Sequence, residues 1–154
     1  MKKKLIKNIF WKNIRNSNLE KVFVDTDVCI DLLSGRKPFN IFAERLFTLA
    51  EQGKVEICIS ALSISNIHYV LHAQYGVKEP TLLIARFRTL VTILAVNSKV
   101  IDRAIASGFA DFEDAIQYNT AIESSIHVLI TRNIKDYKLA EIRIVTPEAY
   151  LAFL

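Results

Sequence analysis

Three carboxylates fall within four positions at Asp111, Glu113 and Asp114, in the middle of the stretch 107–121. Carboxylates that a fold brings together repel one another, and a divalent cation is the usual means of keeping them ionised. Such an ion acts as a Lewis acid and lowers the pKa of a bound water, so metal-assisted chemistry is what this cluster suggests. The same residues also read as a helix start: Gly108 ends what precedes, Asp111 is a good N-cap, and Asp114 stands where a capping box wants an acid. On a 3.6-residue period Asp111, Asp114 and Tyr118 share one face, while Glu113, Gln117, Thr120 and Ser124 form a second stripe expected to face solvent.

A second acidic group lies earlier. The apolar run 21–24 ends in Asp25 and passes directly into the helical-period segment 26–33, closed by Ser34 and Gly35. That handover puts Asp25 at the carboxyl end of a strand, where open α/β sheets gather their ligands; an N-cap role is the alternative. Asp27 and Asp31 read as first-turn and exposed-face charges. A third group follows the strand 127–130, where Asn133 and Asp136 are either site residues or a helix cap and its third-position acid. His68 and His72 have the i, i+4 spacing of zinc ligands, but no third ligand and no HExxH pattern accompany them, so they read as surface or packed histidines. The four glycines are scattered near helix ends, which excludes phosphate loops and dinucleotide fingerprints.

The elements that must position these acids alternate along the chain. Helices are expected over 41–52, 60–75, 81–88, 98–106 (capped by Ser98) and 111–124, and one is opened by Pro147. Strands are expected over 55–59, 90–96, 127–130 and 142–145. Alternation of this kind specifies a three-layer α/β/α sandwich with a central parallel sheet. A chain of 154 residues suits one such domain, placed at 21–154, without repeats or low-complexity linkers. Residues 1–20 form a basic extension, with Leu5, Ile6, Ile9, Phe10 and Ile14 at helical spacing among lysines. It is expected to be either an amphipathic helix or disordered. The net charge of +4 is concentrated in that extension and leaves the body slightly acidic, so charge alone identifies no ligand. No run of about 18 apolar residues is present, hence no membrane span is expected. Cys29 and Cys58 sit in apolar surroundings, as reduced thiols of a cytoplasmic protein do.

Taken in order, Val22-Phe23-Val24-Asp25-Thr26-Asp27-Val28 with Asp31-Leu32-Leu33, then Gly108-Phe109-Ala110-Asp111-Phe112-Glu113-Asp114-Ala115-Ile116-Gln117, then Thr131-Arg132-Asn133-Ile134-Lys135-Asp136-Tyr137, and finally Val145-Thr146-Pro147-Glu148 resemble the PIN-domain family. The likeness is to its VapC-like toxin ribonucleases with an Asp-Phe-Glu-Asp motif, and it spans about 21–154. The resemblance implies an α/β/α sandwich, often dimeric, whose carboxylates hold Mg²⁺ or Mn²⁺ and hydrolyse RNA, frequently as a toxin silenced by an antitoxin protein. By position it implies Asp25, Asp114 and Asp136 as catalytic metal ligands. Asp136 is preferred to Asn133 because it carries charge. Asn66, Asp111, Thr131 and Asn133 are site neighbours, Arg132 and Lys135 follow the RNA backbone, and Glu113 is left out as solvent-facing.

One departure stands out. The family usually has glutamate in a Ser-x-x-Glu pattern of the helix after the second strand, and here Ser63-Ile64-Ser65 leads to Asn66. An amide can coordinate through its oxygen but neutralises no charge, so weaker metal binding is expected. The alternative function is a catalytically silent PIN-like module that binds RNA or a protein partner.

Overall fold

The computed structural model describes residues 19–154, so the basic extension expected over 1–20 lies outside the described residues except for Leu19 and Glu20. Glu20 is tied to the domain: its carbonyl accepts from Glu56 N at 2.9 Å and its carboxylate accepts from the Tyr150 hydroxyl at 2.6 Å.

The strands are β1 (Lys21–Val24), β2 (Glu56–Ser60), β3 (Thr92–Leu94), β4 (Val128–Ile130) and β5 (Arg143–Val145). The helices are α1 (Thr26–Ser34), α2 (Asn40–Glu51), α3 (Ala61–Ala73), α4 (Pro80–Phe87), α5 (Ser98–Ala106), α6 (Phe112–Glu123) and α7 (Pro147–Ala152), with a 3-10 turn at Ile134–Tyr137. All pairings are parallel, in the order β3-β2-β1-β4-β5. Parallel strands covered on both faces read as unbroken apolar runs, as β1, β2 and β4 do. Val22, Val24, Ile57, Ile59 and Ile130 turn to one face against Val28, Leu46, Phe47, Ile67 and Leu71. Phe23, Cys58 and Leu129 turn to the other against Ala121, Ile126 and Tyr137. This is the expected α/β/α sandwich. Cys29 and Cys58 are both buried and lie in separate clusters.

The strand order carries the functional consequence. From β1 the chain moves outward through β2 to β3, then returns to the other side of β1 for β4. The crevice between the carboxyl ends of β1 and β4 is therefore the point where the winding reverses, the usual ligand position in open parallel sheets. Val24 pairs with Ile130, so the next residues, Asp25 and Thr131, emerge side by side.

Local detail departs from expectation at several places. Strand β3 is confined to 92–94, because Leu90 N is taken by Phe87 O in the turn that ends α4. Helix α5 is capped by Asn97, whose side chain accepts from Val100 N at 3.0 Å, rather than by Ser98. Asn133 makes no side-chain cap; its own N–H donates to Thr131 Oγ1 at 3.1 Å. Among the described residues no helix is long and apolar enough to cross a membrane.

Candidate active site

Asp25 follows β1 and caps α1, its Oδ1 accepting from Thr26 N at 2.7 Å. Its Oδ2 accepts from two hydroxyls: Thr131 Oγ1, just beyond β4, and Tyr137 OH, in the 3-10 turn, each at 2.9 Å. The Tyr137 hydroxyl also lies 3.4 Å from Asp114 Oδ1, so one phenol stands between the carboxylates of Asp25 and Asp114. Asp114 is placed by the start of α6, where Asp111 Oδ1 accepts Asp114 N at 3.1 Å as an N-cap; Gly108, at φ 74°, turns the chain into that start.

The electrostatics follow from this arrangement. Burial, with the charge of Asp27 beside it, pushes Asp25 up to about 7 against the pull of its hydrogen bonds. Burial likewise raises Asp114 to about 7, reinforced by Asp25, Asp111 and Asp136. The Tyr137 hydroxyl, buried between them, is held far from ionisation. No basic side chain stands among the main influences on either aspartate. The donor set is all oxygen, anionic and uncompensated, which suits a hard divalent cation. Asp25 and Asp114 could hold such an ion. Asp136 is exposed and in the field of Asp114, but among the described residues no three acidic, histidine or cysteine side chains form a ready-made metal cluster.

The wall toward α3 differs from expectation. Glu113 does not face solvent: its Oε1 accepts from Asn66 Nδ2 at 2.7 Å and lies 3.4 Å from Thr26 Oγ1. Gln117 and Thr120, placed on the same solvated stripe by the wheel, are fully buried. Gln117 Nε2 donates to Thr26 Oγ1 and Ser63 Oγ at 3.1 and 3.0 Å, and Thr120 Oγ1 donates to Ile116 O at 2.7 Å. The polar stripe of α6 packs against hydroxyls from α1 and α3, so polarity there marks complementary partners and not water. Tyr137 joins the site from the 3-10 turn, and its only sequence signal is its place directly after Asp136.

Arg132 also has a different setting. Its Nε is 2.8 Å from Asp31 Oδ2 and 3.6 Å from Asp27 Oδ2, and its guanidinium lies 4.5 Å from the Phe39 ring centroid. The 2.8 Å contact is an ion pair without the alignment of a hydrogen bond. Asp31, expected on an exposed face, is 1% exposed. Lys135 and Asn133 are exposed, and His68 and His72 are surface residues facing Thr81 and Val77.

A family model for the PIN domain matches residues 21–135. The chain belongs to the PIN domain family. Ribonuclease VapC1 of Aquifex aeolicus (strain VF5) is 24% identical over 138 residues, covering 86% of this chain and 94% of that protein. Among solved structures, a toxin-antitoxin complex from Klebsiella pneumoniae matches with a TM-score of 0.63 and 26% identity over 82% of this chain and 97% of that one. Mycobacterium tuberculosis VapC20, a sarcin-ricin loop cleaving toxin, matches with a TM-score of 0.62 and 18% identity over 79% and 98%. At that lower identity the likeness is one of fold, and this PIN domain has the sandwich that the sequence resemblance implied.

Proposed function

We propose that this PIN domain is a divalent-metal-dependent endoribonuclease, the toxin of a toxin–antitoxin pair. The observation that carries the reading is the pair of raised, uncompensated carboxylates, Asp25 and Asp114, bracketing one phenol at the point where the sheet winding reverses. Similarity to ribonuclease VapC1 and to a toxin-antitoxin complex supports the RNA substrate and the antitoxin partner. The homodimer is the form that the family resemblance implies.

Mg²⁺ or Mn²⁺, held by Asp25 and Asp114 with Asp136 at the mouth, would supply Lewis-acid polarisation of the phosphate and a more acidic attacking water. The chain's own residues do the rest. Thr131 and Tyr137 fix the Asp25 carboxylate from β4 and the following turn. Asp111 fixes the backbone that carries Asp114. Lys135, exposed beside Asp136, would meet the RNA backbone, whereas Arg132 is committed to Asp31, Asp27 and Phe39.

Asn66 favours a second reading, a catalytically silent PIN module that binds RNA or a protein partner. Against it stands Glu113, which brings a carboxylate to that same wall. Calorimetric titration with Mn²⁺, alongside cleavage of a mixed RNA pool, tests both on the intact protein and on Asp114→Asn. Binding and cleavage that disappear together in the variant support the nuclease. No binding at millimolar Mn²⁺ in the intact protein leaves the silent module.

A further inference from the structure

A carboxylate oxygen has two lone-pair directions, and the environment of Asp25 uses them unequally. Oδ2 receives the hydroxyls of Thr131 and Tyr137, both at 2.9 Å, which fills it. Oδ1 receives one donor among the described residues, Thr26 N at 2.7 Å, and keeps one direction open. The hydroxyls come from buried side chains, Thr131 at 0% and Tyr137 at 2% exposure, so neither donor moves aside without disturbing the core. The Thr131 hydroxyl is fixed further because it also accepts Asn133 N at 3.1 Å.

We propose that Tyr137, together with Thr131, is a specificity-determining positioning residue that restricts Asp25 to single-oxygen coordination and thereby selects Mg²⁺ over Ca²⁺. The inference rests on the reading of this site as a divalent-cation site. Mg²⁺ demands near-ideal octahedral geometry with single-oxygen ligands and retained waters, while Ca²⁺ accepts six to eight oxygens and readily takes both oxygens of a carboxylate. Blocking Oδ2 removes the bidentate arrangement that favours the larger ion.

The test is calorimetric titration of the full chain with MgCl₂ and with CaCl₂, without RNA, so that activity plays no part. The intact protein is expected to bind Mg²⁺ more tightly than Ca²⁺. Tyr137→Phe and, independently, Thr131→Val each free one direction on Oδ2 and should narrow the Mg²⁺/Ca²⁺ affinity ratio by about tenfold, the lower end of what outer-shell partners of metal ligands usually contribute. Tyr150→Phe, which removes a phenol donating to Glu20 elsewhere, is the control and should leave the ratio unchanged. Equal affinities in the intact protein overturn the proposal with no variant needed, as does an unchanged ratio in whichever of the two variants retains its fold by circular dichroism. Absence of binding by either ion removes this inference and the metal-dependent reading together, and is thus distinct from binding without selectivity.

Discussion

Asn66 on α3 reaches across to Glu113 on α6, its amide donating to Glu113 Oε1 over 2.7 Å. The two helices thus meet through an amide–carboxylate pair at the wall of the candidate site, and the residue that departs from the family pattern is the one that holds a carboxylate in place. Hydrogen bonds to charged groups contribute about 1.5–3 kcal/mol when shielded, and less when water competes. For this half-buried pair Asn66→Ala is expected to cost about 1 kcal/mol in urea unfolding. Glu113→Ala made in the Asn66→Ala background should cost less than Glu113→Ala alone, because the Asn66 bond is already gone and only the 3.4 Å contact with Thr26 remains. Additive losses would contradict the pairing.

The metal-free protein should become less stable as pH rises from 5 to 8. Asp25 and Asp114 go from 3.8 to about 7 on folding, so between those values the folded state holds protons that the unfolded state has released. Their contribution is fully present below about 4 and is lost as pH climbs through 7. Asp27, raised by burial to about 6, has the same sign. Thermal melts in EDTA should therefore give a higher midpoint at pH 5 than at pH 8. The difference should shrink in Asp25→Asn, and Mg²⁺ should restore the midpoint at pH 8. A midpoint that rises with pH in EDTA would refute the assignment.

Arg132 should behave as a structural cation. Asp31 is 1% exposed and depends on Arg132 to offset its burial. Removing one member of a buried pair typically costs about 3–5 kcal/mol, and with Arg132 itself partly exposed a loss of about 2–3 kcal/mol is expected for Arg132→Ala. The double change Arg132→Met with Asp31→Leu should recover most of it. Wild-type stability in Arg132→Ala, accompanied by weaker RNA binding, would return the arginine to the substrate.

Lys135 should show the complementary pattern. On an exposed 3-10 turn its removal leaves stability within about 0.5 kcal/mol of the starting value. If it meets a phosphate, Lys135→Ala reduces the salt dependence of single-stranded RNA binding by about 0.7 in log–log slope. Binding is best measured in the Asp114→Asn background, where cleavage does not intervene. An unchanged slope would remove Lys135 from the interface.

The fold was readable because apolar periodicity and chain punctuation are local properties. Val22-Phe23-Val24 followed by Asp25 marks a buried parallel strand and its carboxyl end, and Gly35 and Asp111 mark helix boundaries, without reference to any other segment. The site was readable only in part. Asp25 and Asp114 carry the right chemistry at ends of elements, whereas Glu113, Gln117, Thr120 and Asp31 look like solvent-facing residues. Each is turned inward by a partner from a distant segment or by its own helix's backbone: Asn66, Thr26 and Ser63, Ile116, and Arg132. Hydrophobic periodicity sorts polar from apolar positions and cannot distinguish a polar group that meets water from one that meets a complementary hydroxyl.

The winding reversal beside β1 also sets a timetable for synthesis. Asp25 receives its two hydroxyl bonds from Thr131 and Tyr137, 106 and 112 residues further along the chain. A nascent polypeptide that has emerged through α6 already displays Asp25, Glu113 and Asp114, yet it lacks β4, the central strand's other neighbour, and both hydroxyls that orient Asp25. Such long-separation pairings form late. Until Thr131 and Tyr137 have left the exit tunnel, a ribosome-bound chain accordingly lacks the two donors that orient the Asp25 carboxylate.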